Sequence, residues 1–529
     1  MTQQELIFAE VPVEKFSLLT KEELIIYLKG EQSLRIQLQK DVANLRAFNE
    51  ELRQKSYTVS ELLITVKNKF FGKSSERSPR PKSERKSGIK KKRVLLPSER
   101  YPDAPLIERH ITLDVLPNCG CCGTQMHDTG LSEDSQFLTV IPKQHLIVLQ
   151  MRHKYGCGKC HGDIKTAPAP PKIIEGGAFS DEMVIDASLS KYCDLVPMER
   201  YAAMAGREGL KDLPPQSLIE GSHKLAAFVK PAYEKIKTEV TSSFIWHADE
   251  TPHKMLEGSP IRNWYLWGFS TPTASYFECH STRSGDVACE LLLNSRCRFL
   301  VSDVFSGYHK AVKDANKKRA ELKLELIVNV YCNAHSRRKF RDADKVFEQL
   351  IESAKTNEEK VSLEAERREV RFFLKAYRRI YRLESLAQKH PQKKANIRER
   401  MSKYFEKMRT KALGDLGGYS AKSSFGKAMS YFLKNYDGLT RFLANPDLPI
   451  DNNPQERLLR NPVIGRKTWY GTHSKLGAQT AAILFSLVES CKLNKINPRE
   501  YFKKLVEALH FGKPAFTPME YKLANPPPS

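Results

Sequence analysis

The sequence predicts a multidomain α+β chain, with an N-terminal helical segment, a small cysteine-rich module, a helical region and a mixed α/β core interrupted by further helices. Three observations predict it. The 529 residues suffice for about three to five domains, several large enough to bury a core. Two Cys-x-x-Cys pairs stand close together early in the chain. Between Phe244 and Val330, short apolar runs first follow one another at hairpin spacing and then alternate with helical pattern, which is the ordering of a mixed sheet with helices on its faces.

Charge narrows the partner. Lys and Arg number 86 against 62 Asp and Glu, a net charge of +24, and the isoelectric point is near 9.4. An excess of this size neutralises a polyanion such as DNA. Residues Met1 to Phe16 carry acids and lack a basic start followed by an apolar core, so no signal peptide is expected. No run approaches the roughly 18 apolar residues of a membrane span. Eleven cysteines is an odd number, and five lie between Cys119 and Cys160, which favours a reduced compartment and a metal site over a disulfide framework. The expected residence is the bacterial cytoplasm, on the nucleoid.

From Leu38 the apolar positions Leu45, Phe48, Leu52, Val59, Leu62 and Val66 step by four and three, with Asp41 and Lys55 as polar interruptions of the same seam. That 3.5-residue period predicts a coiled coil and a homo-oligomer; an amphipathic helix packed on its own chain is the alternative. Residues 67 to 100 hold thirteen basic residues against three acids, including Lys90, Lys91, Lys92 and Arg93. This segment reads as a basic linker that tracks DNA phosphates, or else as a solvated spacer.

The pairs Cys119/Cys122 and Cys157/Cys160 follow, separated by 34 residues that include a strand-like stretch from Phe137 to Met151. Each CxxC aims two thiolates at one point, and two of them supply the four-sulfur shell that zinc prefers. Cys121 is an extra thiol, and His127 or His161 could replace one sulfur. Beyond Pro168-Ala-Pro-Pro171, residues 181 to 240 have helical period, with breaks at Pro197, Gly206, Gly209 and Leu213-Pro-Pro-Gln-Ser217. A helix-turn-helix and a plain helical bundle are both compatible with it.

Phe244 to Asp249 and Arg298 to Asp303 read as buried strands that end in acids; Trp264 to Phe269, Ser275 to Cys279 and Leu324 to Val330 read as further strands. Two carboxylates at neighbouring strand ends repel each other unless a divalent cation neutralises them. Paired magnesium ions held by carboxylates stabilise the entering and leaving oxygens of a phosphoryl transfer, which calls for a third acid downstream. Glu456 is the candidate. Local pattern alone favours a helix start there, with Asn453 as N-cap, Pro454 first and Glu456 third in a capping-box arrangement. Nearby Arg457, Arg460, Arg466, Lys467, Trp469 and Tyr470 mix cations with aromatics, as a DNA-holding surface does. Cys332 and His335 form a CxxH without a visible second half, read as a packing or DNA-facing histidine, and Arg337 and Arg338 as phosphate contacts.

Asp249-Glu-Thr-Pro252, Ser302-Asp303 with Gly307-Tyr308, Cys332-Asn-Ala-His335-Ser-Arg-Arg338-Lys-Phe340, and Asp451-Asn-Asn-Pro-Gln-Glu456-Arg through Gly465-Arg-Lys467 together resemble the transposases of the insertion-sequence sixty-six family. Phe70-Phe-Gly-Lys-Ser-Ser-Glu-Arg77, the double CxxC and Ser486-Leu-Val-Glu through Asn497-Pro498 extend the resemblance over most of the chain. It implies a DDE enzyme with a ribonuclease H-like core, in which Asp249, Asp303 and Glu456 bind two magnesium (or manganese) ions. Glu456 is thereby preferred as a ligand over a cap, Glu250 becomes a decoy, and Asp451 is the competing third acid.

The implied organisation is a helical coiled-coil region (1–72), a basic linker (73–108), a zinc module (109–170), a helical region (171–240), the core in two parts (241–342 and 446–490) split by a helical insertion (343–445), and a C-terminal region (491–529). The implied function is cleavage and strand transfer at element ends, with DNA as partner and helper proteins of the same element as further candidates. A nuclease that cuts without joining, and a DNA-binding protein with an inactive core, are the rival readings.

Overall fold

The computed structural model describes residues 20–22, 25, 28–29, 32–33, 35–44, 63–64, 96–102, 104–111, 115–126, 135–141, 143–156, 164–257 and 262–526. The chain divides into two compact units. One comprises residues 1–72, 152–203 and 212–529, the other residues 73–151 and 204–211.

In the first unit a small antiparallel pair, β1 (Lys154–Gly156) and β2 (Ile164–Thr166), brackets Cys157, Cys160 and His161, which lie outside the described residues. Helices α1 (Asp181–Tyr192), α2 (Met198–Arg207, of which residues 204–207 belong to the second unit), α3 (Pro215–Phe228) and α4 (Lys230–Thr241) follow, then β3 (Ile245–Lys254), β4 (Asn263–Ser270) and β5 (Ser275–His280). Next come α5 (Asp286–Leu293), β6 (Phe299–Ser302), α6 (Ser306–Glu321) and β7 (Val328–Tyr331). The five longer strands form one sheet in the order β5-β4-β3-β6-β7, antiparallel from β5 to β3 and parallel from β3 to β7. The hairpin-spaced runs pair antiparallel and the helix-separated runs pair parallel, because only a long crossover returns a strand in the same direction.

Alternation sorts β3 between two cores. Trp246 and Ala248 enter a core shared with α1, α3, α4, α5 and α6, while Ile245 packs against a second core containing Val301 and Val330. That second core belongs mainly to the helices after β7: α7 (Asn333–Ser353), α8 (Asn357–Lys389), α9 (Lys394–Asp415), α10 (Ser424–Lys434) and α11 (Tyr436–Thr440). The predicted stripe of α8 is its buried face, with Val370, Phe373 and Tyr377 fully enclosed and Leu374 and Tyr381 packed beside them. The chain then returns to the sheet as α12 (Asn453–Trp469), followed by α13 (Lys475–Leu493), α14 (Pro498–His510) and α15 (Pro518–Ala524).

The described residues between 21 and 44 are helical, and Ile25, Leu28, Ile36, Leu38 and Val42 are exposed on them. The rest of the predicted seam, Leu45, Phe48, Leu52, Lys55, Val59, Leu62 and Val66, lies outside the described residues, as do Lys90, Lys91, Lys92 and Arg93. No helix among the described residues is long and apolar enough to cross a membrane.

In the second unit, Cys119 to Gly123 form a tight turn. Gly123 N–H donates to Cys119 O (2.9 Å), Cys119 N–H donates to Thr124 O (2.8 Å), and Gly123 takes the left-handed φ of +73° that glycine tolerates without strain. His127 lies outside the described residues. The strand expected over Phe137 to Met151 is not formed: its described residues pair with no strand, and Ile147 is 95% exposed. Alternating β-branched residues give a strand its propensity, but a strand exists only when another edge completes its hydrogen bonds.

Candidate functional site

Asp249 and Asp303 reach one place through strand register. His247 pairs with Val301 across the parallel β3/β6 junction, so the two acids, each two residues past that last pair, leave the junction at the same level. β6 ends at Ser302, one residue short of the acid expected to close it, and β3 does not end at its acid either. It runs on to Lys254 because β4 keeps pairing with it as far as Lys254 and Asn263, while the pairing with β6 stops at His247. Asp249 therefore sits mid-strand, where the parallel neighbour has just turned away. Its Oδ1 accepts from Glu250 N–H (2.9 Å), and Asp303 Oδ1 accepts from Phe305 N–H (3.0 Å).

Glu456 arrives on α12, which packs on β3 and β4. Gly268, paired with Asp249, makes this approach possible: a Cβ there would lie 2.2 Å from Gln455 Nε2. Gln455 is fully buried and accepts from Ser270 Oγ at 2.5 Å. The expected capping box is not formed. The helix begins one residue earlier than predicted, so Asn452 holds the N-cap position and Glu456 is its fourth residue. Asn452 caps no helical N–H; its side chain turns instead to His247 and Ala248 O on β3. Glu456 faces α7, with Oε1 3.6 Å from His335 Nδ1 and Oε2 3.5 Å from Arg338.

Burial pushes the carboxyl of Asp249 well above its ordinary range, and the neighbouring Glu250, Asp303 and Glu456 push it further. A carboxyl buried beside other acids resists ionisation in this way. Glu250 points to the other face. Tyr308 donates to it at 2.6 Å, and Arg283 donates at 2.6 and 2.8 Å while stacking over Phe305. Its lone pairs are thus committed within the protein, which separates it from Asp249. Asp451 is also committed: its carboxylate accepts from Tyr381 Oη (3.1 Å) and from Asn453 Nδ2 (2.7 Å).

The three acids are of the chemical type that a divalent cation takes. Asp249, Asp303 and Glu456 offer hard carboxylate oxygens, and Glu456 Oε1 is a buried oxygen without a hydrogen-bond partner. Among the expected DNA contacts, Arg337, Arg457, Arg460 and Lys467 are exposed. Arg466 donates to Thr251 Oγ1 (3.3 Å), and Trp469 is half-buried, edge-on to Tyr192 with Lys191 Nζ over its ring at 5.4 Å.

The family model described as "Transposase IS66 family" matches residues 176–480, more than half of the chain and all of the sheet, both strand acids and Glu456. The chain belongs to this family. Among relatives of the IS66 chain, two uncharacterised proteins of Sinorhizobium fredii, y4hP and y4jD, are each 24% identical to it. They align over 415 and 417 residues, 76% of this chain in both cases, and 72% and 76% of their own lengths. A third, y4qI of the same organism, is 25% identical over 472 residues, 85% of this chain and 78% of its own.

Sequence reasoning missed what holds these IS66-family residues in place. Asn452 and His247 connect two of the three acids, and Tyr308 with Arg283 holds Glu250 aside. The CxxH has no second half within its own stretch of sequence; the structure brings Cys332, His335 and Glu456 together, with one ligand atom from each within 4.8 Å of the others. The signal available was the Asn452-Asn453 pair at the start of the helix.

Proposed function

We propose that this chain is a DNA transposase that binds the ends of an insertion sequence, cuts them and joins them to target DNA. The observation that carries this reading is the register of the parallel strands β3 and β6, which brings Asp249 and Asp303 to one level, with Glu456 carried on a helix that packs against β3. The strand order and directions support a ribonuclease H-like core, and the helices from α7 to α11 an insertion within it.

In this reading Asp249, Asp303 and Glu456 would hold two magnesium or manganese ions, which stabilise charge on the entering and leaving oxygens of phosphoryl transfer. Asn452 and His247 keep α12 against β3, so that the three acids share one site. Exposed Arg337, Arg457, Arg460 and Lys467 bind phosphates, in keeping with the net charge of +24. Water attacks a phosphodiester at the element end, the bond to the 3′ oxygen breaks, and that oxygen leaves as a hydroxyl. The hydroxyl then attacks a target phosphodiester, displacing the target's own 3′ oxygen.

Cys119, Cys122, Cys157 and Cys160 would hold one structural zinc. The tight turn at the first pair supports this: backbone N–H groups of Cys121 and Cys122 face the Cys119 sulfur and hold its thiol below the usual range, favouring the thiolate that zinc binds. The N-terminal helix would pair with other copies through its apolar seam. Incubating full-length protein with labelled element ends, target plasmid and magnesium tests the reading. Cut ends with joined products are expected, whereas cutting without joining would indicate a nuclease, and binding alone an inactive core.

A further inference from the structure

We propose that Cys332, His335 and Glu456 form a second cation site, suited to zinc rather than magnesium, and that filling it withdraws Glu456 from the two aspartates. The inhibitory consequence rests on the reading of Glu456 as the third carboxylate; the binding itself does not.

Local geometry builds the site. Cys332 is the residue before α7 and His335 is in the first turn of that helix, so the i, i+3 spacing puts both on one side of the turn. Glu456 comes from α12 on the facing side. The three ligand atoms lie within 4.8 Å of one another. Tetrahedral zinc with bonds of about 2.0 to 2.3 Å sets its ligands roughly 3.5 Å apart, so closing the site takes about 1 Å of movement. His335 Nδ1 and Glu456 Oε1 already have that separation at 3.6 Å, facing each other at a distance too long for a hydrogen bond. A shared cation would bind both buried atoms more closely than this contact does.

The donor chemistry selects the ion. Sulfur, imidazole nitrogen and one carboxylate oxygen suit a borderline-soft cation, whereas magnesium takes all-oxygen sites. Asn452 N–H donates to Cys332 Sγ (3.2 Å), which offsets part of the burial that otherwise keeps this thiol protonated. The thiol proton leaves to solvent as the metal binds. Arg338 lies against Oε2 of Glu456, leaving Oε1 for the ion. Three protein ligands leave one tetrahedral position open.

Cobalt(II) reports such a site through its thiolate charge-transfer absorption. Full-length protein that metal analysis shows to hold one zinc per chain is titrated with cobalt. The wild type is expected to take up one further equivalent with thiolate absorption, Cys332→Ser to lose that absorption, and His335→Gln to bind cobalt at least about tenfold more weakly. Thermal melts identify which variants fold. Cobalt uptake and absorption in His335→Gln equal to wild type overturn the proposal, whether or not Cys332→Ser folds, as does the absence of any cobalt-thiolate absorption in the wild type. These readouts need no activity, so a chain that never cuts DNA but binds cobalt through Cys332 keeps this proposal and loses the transposase reading. In active preparations, low zinc should inhibit magnesium-dependent cleavage, and His335→Gln, measured against its own zinc-free rate, should resist about tenfold more zinc. Equal sensitivity overturns the inhibitory role.

Discussion

Asn452 Oδ1 lies 2.9 Å from His247 Nδ1, joining the start of the helix that carries Glu456 to the strand that carries Asp249. Asn452 Nδ2 donates to Ala248 O at 2.8 Å, which fixes the amide's orientation and makes the histidine nitrogen the donor. Asn452→Ala leaves a buried imidazole N–H and a buried carbonyl unpaired. A loss of about 2–4 kcal/mol in urea unfolding is expected, together with slower cleavage at unchanged end binding.

His253 should make the fold acid-sensitive. Burial, with Arg466 nearby, pushes its imidazole down to about 4, while Thr472 Oγ1 sits 3.1 Å from Nε2. The unfolded chain takes up a proton below about pH 6.5 and the folded chain does not, so this contribution is complete above that pH and is lost as pH falls toward 4. The loss is roughly 3 kcal/mol from this residue. Chemical denaturation at several pH values should show it, and His253→Gln should flatten the slope in that window.

Arg398 and Glu384 form an ion pair inside the helices after β7, with Nη2 to Oε1 at 2.8 Å and Nε to Oε2 at 3.1 Å. The guanidinium also donates to Phe442 O, Asn445 O and Leu448 O, and so ties these helices to the segment leading into α12. Arg398→Met leaves a buried carboxylate alone and should cost at least about 3–5 kcal/mol, and adding Glu384→Leu should recover only the carboxylate's share, because the three carbonyls stay without a donor. Thermal melts of the single and double variants decide this.

The zinc module should lose its metal when its second cysteine pair is broken. Full-length protein should carry one zinc that resists desalting, and Cys157→Ala should release it, whereas Cys121→Ala should retain it. Metal analysis of the purified variants measures both.

The strands of the sheet were legible because apolar runs of four to eight residues, bounded by turns, are too short for most helices and bury well as sheet interior. The level shared by Asp249 and Asp303 was legible only in part. Each acid follows its apolar run, but the continuation of β3 to Lys254 depends on β4, whose pairing no local pattern reveals. The start of α12 departs from expectation for a similar reason: Asn453 and Pro454 look like a cap, and the partners of Asn452 lie on another strand. His335 could not be matched with Glu456 from spacing, since the helices from α7 to α11 intervene. Phe137 to Met151 has strand propensity without an edge to pair with, and propensity does not tell the two situations apart.

Cleavage and joining by Glu456→Gln, measured beside Glu250→Gln, tests the central claim most directly. Both substitutions remove one negative charge, but Glu456 Oε1 accepts no hydrogen bond, whereas both oxygens of Glu250 are held by Tyr308 and Arg283. With magnesium, Glu456→Gln should fold, bind element ends and lose both cleavage and joining, as should Asp249→Asn and Asp303→Asn, while Glu250→Gln remains active. Near-normal joining by Glu456→Gln would contradict the three-carboxylate account.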